Sequence, residues 1–352
     1  MLLVLILILC NSKPIASATF ENIEVGLSFS NDKRIVVITS DNYLNKYVHQ
    51  ADEVTIKDQK ISKLVENSVT DLTGVIRLHM TRCGIEEIRP GAFKNLPLLK
   101  ELNLSNNLLK EIKNGVFANL PFDTLYLENN RIAKIENKAF NNLALANLFM
   151  DNNRISTWNS EWFYGTRLIG ISMGNNLIEN LPRRSFEYLA KLNLGLVYLI
   201  LNNNKLKSID PDAFEGLKEA SYLSFQNNLL EFLEPGLFDS VQQIYTLELN
   251  NNKIREVYYE TFRNTKLSEI NLKNNLLSCI STDIFNATRM TKIYVHGNPI
   301  KCHCVEYWEK WKKNKKLEID NFNGLKKNCI SVANSCRFYI FLFVLTLLVF
   351  AF

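Results

Sequence analysis

An Asn or Cys followed ten positions later by Phe occurs nine times in this chain. The pairs are Cys83/Phe93, Asn107/Phe117, Asn130/Phe140, Asn153/Phe163, Asn176/Phe186, Asn204/Phe214, Asn228/Phe238, Asn252/Phe262 and Asn275/Phe285. Each sits in a fixed apolar frame, as in Leu102-x-Leu104-x-x-Asn107-x-Leu109-x-x-Ile112. Successive units lie 23 or 24 residues apart, except for an interval of 28 between Asn176 and Asn204. Self-similarity at one period specifies a stacked repeat, because each unit buries its apolar face only against the next. An atypical unit at Val54 to Leu64, with Gln59 in the Asn position, and a last one at Asn298 bring the total to about eleven repeats.

One unit can be read physically. Leu102-x-Leu104 alternates, so it is a short strand with one buried face. The chain then turns at Asn107, whose amide can both donate to and accept from backbone groups enclosed between coils. Phe117 packs from the other side of the coil. A single unit buries too few apolar side chains to offset the entropy of ordering its backbone, so stacking is obligatory. Asn153→Leu is therefore expected to impair folding. The extra residues near Ala190 to Gly195 should bulge outward and leave the strand ladder intact.

This frame resembles the leucine-rich repeat pattern, and the chain is similar to extracellular members of that superfamily, including insect-type surface proteins such as chaoptin and connectin and the ectodomains of Toll-like receptors. The resemblance implies an α/β repeat solenoid: a leucine-rich repeat horseshoe with a parallel β-sheet on its concave face. The solenoid is assigned to residues 53–300. Residues 19–52 precede it, with Val25 to Ser30 and Arg34 to Ser40 around Asn31-Asp32-Lys33 reading as a hairpin that covers the first coil. Residues 301–336 form a cap, announced by Asn298-Pro299 at the end of the last repeat and running through Cys302-His303-Cys304, Trp308 and Trp311 to Cys329 and Cys336. It resembles the cysteine-rich cap of extracellular relatives, which implies Cys302 with Cys329 and Cys304 with Cys336. Sequence alone leaves all three pairings of those four residues open. Cys83 and Cys279 are expected to be quiet buried thiols.

The flanks speak to location. Leu2 to Leu9 is an unbroken apolar run and Ala16-Ser17-Ala18 is small, so residues 1–18 read as a secretory signal. Residues 338–352 carry no charge. As a helix they would reach about 22 Å, short of the roughly 30 Å of a hydrocarbon core. Behind Ser331, Ala333, Asn334 and Ser335 they resemble a lipid-anchor signal, with a short membrane segment as the rival reading. Cleavage at those residues would discard Cys336, which conflicts with the cap pairing implied above. The expected location is the secretory pathway and the outer side of the plasma membrane, in tethered or shed form. Asn103-Leu104-Ser105 and Asn286-Ala287-Thr288 are glycan acceptor sequences.

No HExxH, GxSxG, GxGxxG or P-loop occurs, so no enzyme is expected. A net charge of +5 makes no case for nucleic acid. Cys302-His303-Cys304 has zinc-ligand residue types, but in a secreted chain disulfides are the better reading, and no metal or cofactor is expected. The basic run Lys310 to Lys316 reads as a solvated helix face. What remains is the outward side of the strands. Tyr126, Phe149, Ser172, Ile200 and Ser224 fall in one file, with Thr124, Asn147, Gly170, Tyr198 and Tyr222 beside it. Acidic residues flank them at Glu101, Glu128, Asp151, Glu248 and Glu269. The expected partner-binding set is Tyr126, Phe149, Tyr198, Ile200, Tyr222, Glu128 and Asp151, since aromatics dominate binding hot spots. The partner would be an extracellular protein or a glycan, and the role adhesion or co-receptor recognition. The alternative role is that of a soluble immune or matrix factor. Nothing in the sequence fixes the oligomeric state.

Overall fold

A computed structural model describes residues 18–29, 32–48, 50–190, 195–312 and 317–329. The signal-like segment before Ala18, most of the insertion near Ala190 to Gly195, part of the basic run, Cys336 and the apolar tail lie outside the described residues. The chain divides into two compact units, residues 1–145 and 146–352.

In the first unit, β1 (Phe20–Phe29) and β2 (Asp32–Asp41) form an antiparallel hairpin, longer at both ends than the apolar pattern alone marks. Then follow β3 (Glu53–Lys57), β4 (Arg77–Thr81), β5 (Glu101–Asn103) and β6 (Thr124–Tyr126). The sheet order is β2-β1-β3-β4-β5-β6. Strand β1 meets β3 antiparallel, with Leu27 opposite Val54, so the hairpin covers the first coil by joining its sheet. From β3 onward the pairing is parallel and one repeat apart: Val54 faces Leu78, Leu78 faces Leu102, and Leu102 faces Leu125.

The second unit runs β7 (Asn147–Phe149), β8 (Gly170–Ser172), β9 (Leu196–Ile200), β10 (Glu219–Ser224), β11 (Gln243–Glu248), β12 (Lys266–Asn271) and β13 (Lys292–Tyr294). Helix α1 (Cys302–Lys312) and strand β14 (Glu318–Ile319) follow. The strands pair in chain order and in parallel. The 28-residue interval leaves the register intact, with Ile171 opposite Leu199. The cap extends the sheet, because β14 pairs with β13.

Two ladders hold the coils in register. The first is the Asn ladder. Asn107, Asn130, Asn153, Asn176, Asn204, Asn228, Asn252 and Asn275 are all buried. Each complete example bridges two coils. Asn228 Oδ1 accepts from Leu206 N at 2.9 Å, and its Nδ2 donates to Leu201 O of the preceding coil and Phe225 O of its own, at 2.9 and 3.0 Å. Cys83 occupies the same position. Its thiol lies 3.4 Å from Ile56 O, replacing one donor of an amide, and burial pushes the thiol up to about 11. A thiol protonated and enclosed in this way is chemically quiet.

The second ladder is aromatic. In the first unit Phe93, Phe117 and Phe140 stack at 6.3 and 6.2 Å between ring centroids. In the second, Phe186, Phe214, Phe238 and Phe262 follow at 5.3, 5.3 and 5.4 Å. Trp158 joins this column, 5.2 Å from Phe186, and donates its Nε1 to Ser185 O at 3.0 Å.

The residue before each ladder position was not singled out by the repeat pattern. Asn106, Asn129, Asn152, Asn175, Asn203, Asn227, Asn251 and Asn274 all have φ between 52° and 58°. Arg82, before Cys83, shares this left-handed conformation at 53°. Asn tolerates it better than other side chains with a Cβ. The recurring Asn-Asn pair is the sequence signal: its first member supplies the bend and its second fills the ladder.

The cap corrects the cysteine pairing. Cys302 bonds to Cys329, but Cys304 bonds to Cys279 rather than Cys336. Cys279 is thus neither free nor quiet. The reason is topological. Trp308 on α1 is buried and donates Nε1 to Ile280 O at 2.9 Å. That contact seats the first turn of α1 on the last coil, and Cys304 and Cys279 then have Cα atoms 5.5 Å apart. Both Cys302 and Cys304 are consumed, which displaces the zinc alternative. Peptide mapping of the unreduced protein is expected to recover 279–304 and 302–329 linkages, and a 304–336 linkage would contradict this cap.

Candidate recognition face

Tyr126 and Glu128 stand on the first unit, and Phe149, Asp151, Tyr198, Ile200 and Tyr222 on the second. All seven are half-buried. The outward aromatics are thus partly covered by the sheet's own side chains, and the Phe149 and Tyr198 rings pack on each other.

Tyr198 shows why. It sits opposite Gly170 in the parallel register, and Gly170 sits opposite Asn147. The Tyr198 ring lies directly over Gly170, where a Cβ would collide with it. Glycine is required there for this close approach. The phenol reaches across to donate to Asn147 Oδ1 at 3.0 Å, and the ring stacks on Phe149 at 6.0 Å with 25° between planes. Ser172 and Ser224 belong to the file through Phe149 and Ile200 but are buried. Small side chains between large ones are overlaid by them. The face of the second unit is thus a consolidated apolar platform: Phe149 and Tyr198 in contact, Tyr222 beside Tyr198 in register, and Ile200 between Ser172 and Ser224.

Polar groups border the platform. Asp151 Oδ1 accepts from Gly174 N at 2.8 Å. Burial raises the Asp151 carboxyl above its ordinary range, while hydrogen bonds from Ser172 and Gly174 oppose that shift. Burial and, secondly, Glu248 raise the Tyr222 phenol. Glu248 itself accepts from Asn271 Nδ2 at 2.7 Å. On the first unit, burial comes first in raising the Tyr126 phenol, then the charges of Glu101, Glu128 and Asp123. An acidic margin around aromatic side chains suits a partner that brings cations or hydroxyls to an apolar centre.

The same file continues beyond Ser224 through Glu248 and Asn271 to Tyr294. Lys273 and Lys292 place their Nζ atoms 4.6 and 4.8 Å from the Tyr294 ring centroid. His296 Nδ1 meets Asp320 Oδ2 at 2.5 Å, and Asp320 also accepts from Val295 N. Extending the outward positions by further repeats would have located Tyr294 and Lys292 in the sequence. No repeat spacing reaches Asp320, which the cap supplies.

The glycan acceptors differ in setting. Asn103 lies on β5, and its Oδ1 accepts from Ser105 N and Oγ at 2.9 and 2.7 Å. Asn286 is exposed and accepts from Trp311 Nε1 at 3.2 Å. A depression of about 620 Å³ lies on the flank of the first unit. It is lined by Lys63, Glu86, Glu87, Lys110, Lys113 and Lys134, and Lys110–Glu86 and Lys113–Glu111 pair at 3.0 and 3.2 Å. Exposed ion pairs of this kind contribute little to stability. Among the described residues no group of three His, Cys, Asp or Glu side chains could hold a metal ion, and no helix is long and apolar enough to cross a membrane.

The family described as "Leucine rich repeat" matches residues 194–254 and 242–300. The family described as "BspA type Leucine rich repeat region (6 copies)" matches residues 75–193. No curated protein matches the chain. Among solved structures, one titled "Crystal structure of TLR13-ssRNA13 complex" is similar at 18% identity with a TM-score of 0.46, over 73% of this chain and 53% of that one. The chain thus spans about half the length of that neighbour. The two family matches meet end to end across residues 75–300, the span built of parallel strands, buried Asn ladder and Phe column. On that ground residues 75–300 form a leucine-rich repeat solenoid.

Proposed function

We propose that this leucine-rich repeat protein is a non-enzymatic extracellular recognition module held at the cell surface, acting in adhesion or as a co-receptor. The observation that carries the reading is the platform of Phe149, Tyr198, Ile200 and Tyr222. A stacked, hydrogen-bonded aromatic group loses little side-chain entropy on binding, and such preorganised anchors are what hot spots are made of. The acidic margin at Asp151 and Glu248 favours a protein partner with basic or hydroxylated groups; a glycan shares the second property.

Support for an oxidising compartment comes from the two cap disulfides. The revised pairing also bears on the tether. With Cys304 bonded to Cys279, lipid attachment between Ser331 and Ser335 would discard Cys336 without breaking either disulfide. Phosphatidylinositol-specific phospholipase is expected to release the protein from expressing cells. Retention after that treatment would favour a short membrane segment, and recovery of the full-length chain in the medium would remove the tether and leave a soluble factor.

The face is tested by Ile200→Arg with Tyr222→Ala. Both side chains are half-exposed on the platform, so binding to the captured partner is expected to fall at least tenfold while thermal unfolding stays near that of the parent. Unchanged binding would move the interface elsewhere.

A further inference from the structure

We propose that the free edge of β2 is the interface of a two-fold homodimer, in which β2 of one copy pairs antiparallel with β2 of a second copy and Val37 faces its own counterpart. Among the described residues β2 pairs with β1 alone, so its other edge ends the sheet of the first unit. An unprotected edge presents a row of backbone donors and acceptors to any strand that fits.

The backbone directions can be read from the register. Ser28 O accepts from Asp52 N at 2.9 Å, so the backbone groups of Ser28 point toward β3. Its neighbours Leu27 and Phe29 point the other way, toward β2. Leu27 is opposite Arg34 and Phe29 opposite Asp32. The even-numbered residues of β2 therefore bond to β1, and the odd-numbered ones from Lys33 to Asp41 face the free side; Lys33 N is taken by Asp32 Oδ1 at 2.8 Å, so Ile35, Val37 and Thr39 at the centre present the row of edge groups. The same alternation sorts the side chains. Ile38 is fully buried, while Ile35 and Val37 are 72% and 57% exposed. The residues with free backbone groups are thus the ones that also carry exposed apolar side chains.

An antiparallel two-fold centred on Val37 satisfies the central groups of Ile35, Val37 and Thr39 together. Val37 meets Val37, Ile35 meets Thr39 twice, and Lys33 meets Asp41 twice. The central contacts are β-branched pairs on one face, the type that stabilises adjacent strands. The outer contacts join opposite charges. A parallel arrangement would set Lys33 beside Lys33 and Asp41 beside Asp41, so charge selects the antiparallel orientation. The Asp41 side chain is only 13% exposed and already accepts from Lys46 at 2.9 Å, so the β-branched centre carries the pairing and the outer charges only set its orientation. No Pro or Gly interrupts β2 between Asp32 and Asp41, so the usual guards of an edge strand are missing from its centre. The arrangement is isologous and closes at two copies.

Sedimentation velocity on the full chain is expected to show a dimer. Val37→Asp sets two carboxylates face to face on the axis and is expected to raise the dimer dissociation constant at least tenfold; because Val37 is exposed, the thermal unfolding temperature should be unchanged. Cross-linking tests the register independently. Directly opposed residues of this class lie about 5.5 Å apart, inside disulfide reach, so Val37→Cys should give a covalent dimer on oxidation. Two copies of Thr39 would lie about 14 Å apart along the strands, so Thr39→Cys should not. A parent chain that stays monomeric at the highest concentration reached overturns the proposal. So does a dimer indifferent to Val37→Asp, or a cross-link from Thr39→Cys in place of Val37→Cys.

Discussion

Asn228→Leu is expected to cost the second unit about 3–6 kcal/mol, since it orphans several buried backbone groups at roughly 1–3 kcal/mol each. Leucine matches asparagine closely in shape, so the loss is polar and leaves little cavity. Leu206 N, Leu201 O and Phe225 O would each lose the partner that Asn228 supplies. Two of those groups belong to the preceding coil, so the damage is to the joint between coils as much as to one coil. In a stack with nearest-neighbour coupling, weakening one joint destabilises the segment on both sides. Denaturant unfolding measures the size of the effect. Hydrogen exchange locates it: protection should fall first at Leu206 and Leu230, on the two sides of the joint. A variant with parent-like stability would mean that water enters the turn and replaces the amide. The Cys83 coil indicates how far substitution can go, because there Asn107 Oδ1 still accepts from Cys83 N and Ile85 N at 3.0 and 3.2 Å.

Phe214→Ala is the second large effect, expected at about 3–5 kcal/mol for a fully buried aromatic cut back to a methyl. Phe214 is 0% exposed and touches Phe186 and Phe238 at 5.3 Å on either side, with Phe225 at 6.4 Å. The void would sit between stacked rings anchored by their own coils, which limits collapse. Phe214→Leu should recover more than half of the loss, because it restores most of the volume without the ring contacts. Equilibrium unfolding of the two variants decides between packing and ring stacking. Equal losses for Ala and Leu would show that the aromatic column matters through ring geometry, and a small loss for both would show that the coils repack.

The two variants probe different parts of the same repeat, and the sequence exposed both parts. Asn at one phase and Phe ten residues later state which side chains are enclosed, and the alternation in Leu102-x-Leu104 states which face of each strand is buried. The αL bend is written equally plainly in the Asn-Asn pairs, in the first Asn, whose phase the ladder pattern does not include. The platform was legible as a set of positions but not as an arrangement. That Tyr198 lies across Gly170 onto Asn147 depends on a neighbour lacking a Cβ and on ring orientation, which periodicity does not encode. Tyr294, Lys273 and Lys292 obeyed the period and needed only a longer count. Asp320 and the Cys279–Cys304 bond did not obey it. Both join a repeat residue to a cap residue, and the cap carries no phase from which the contact could be computed.

By itself the sequence determined the coil: its length, its buried face, the identity of its turn and the need to stack. Those follow from short-range periodicity, because a residue's phase within the repeat already says what surrounds it. The tertiary structure decided what happens where the period stops. It chose the partner of Cys304, seated the cap as a further strand, laid Tyr198 down across Gly170 and, among the described residues, left β2 at the end of its sheet. Each of these depends on which surfaces meet across long sequence separations, and that is set by the packing of whole elements, beyond the reach of any repeat.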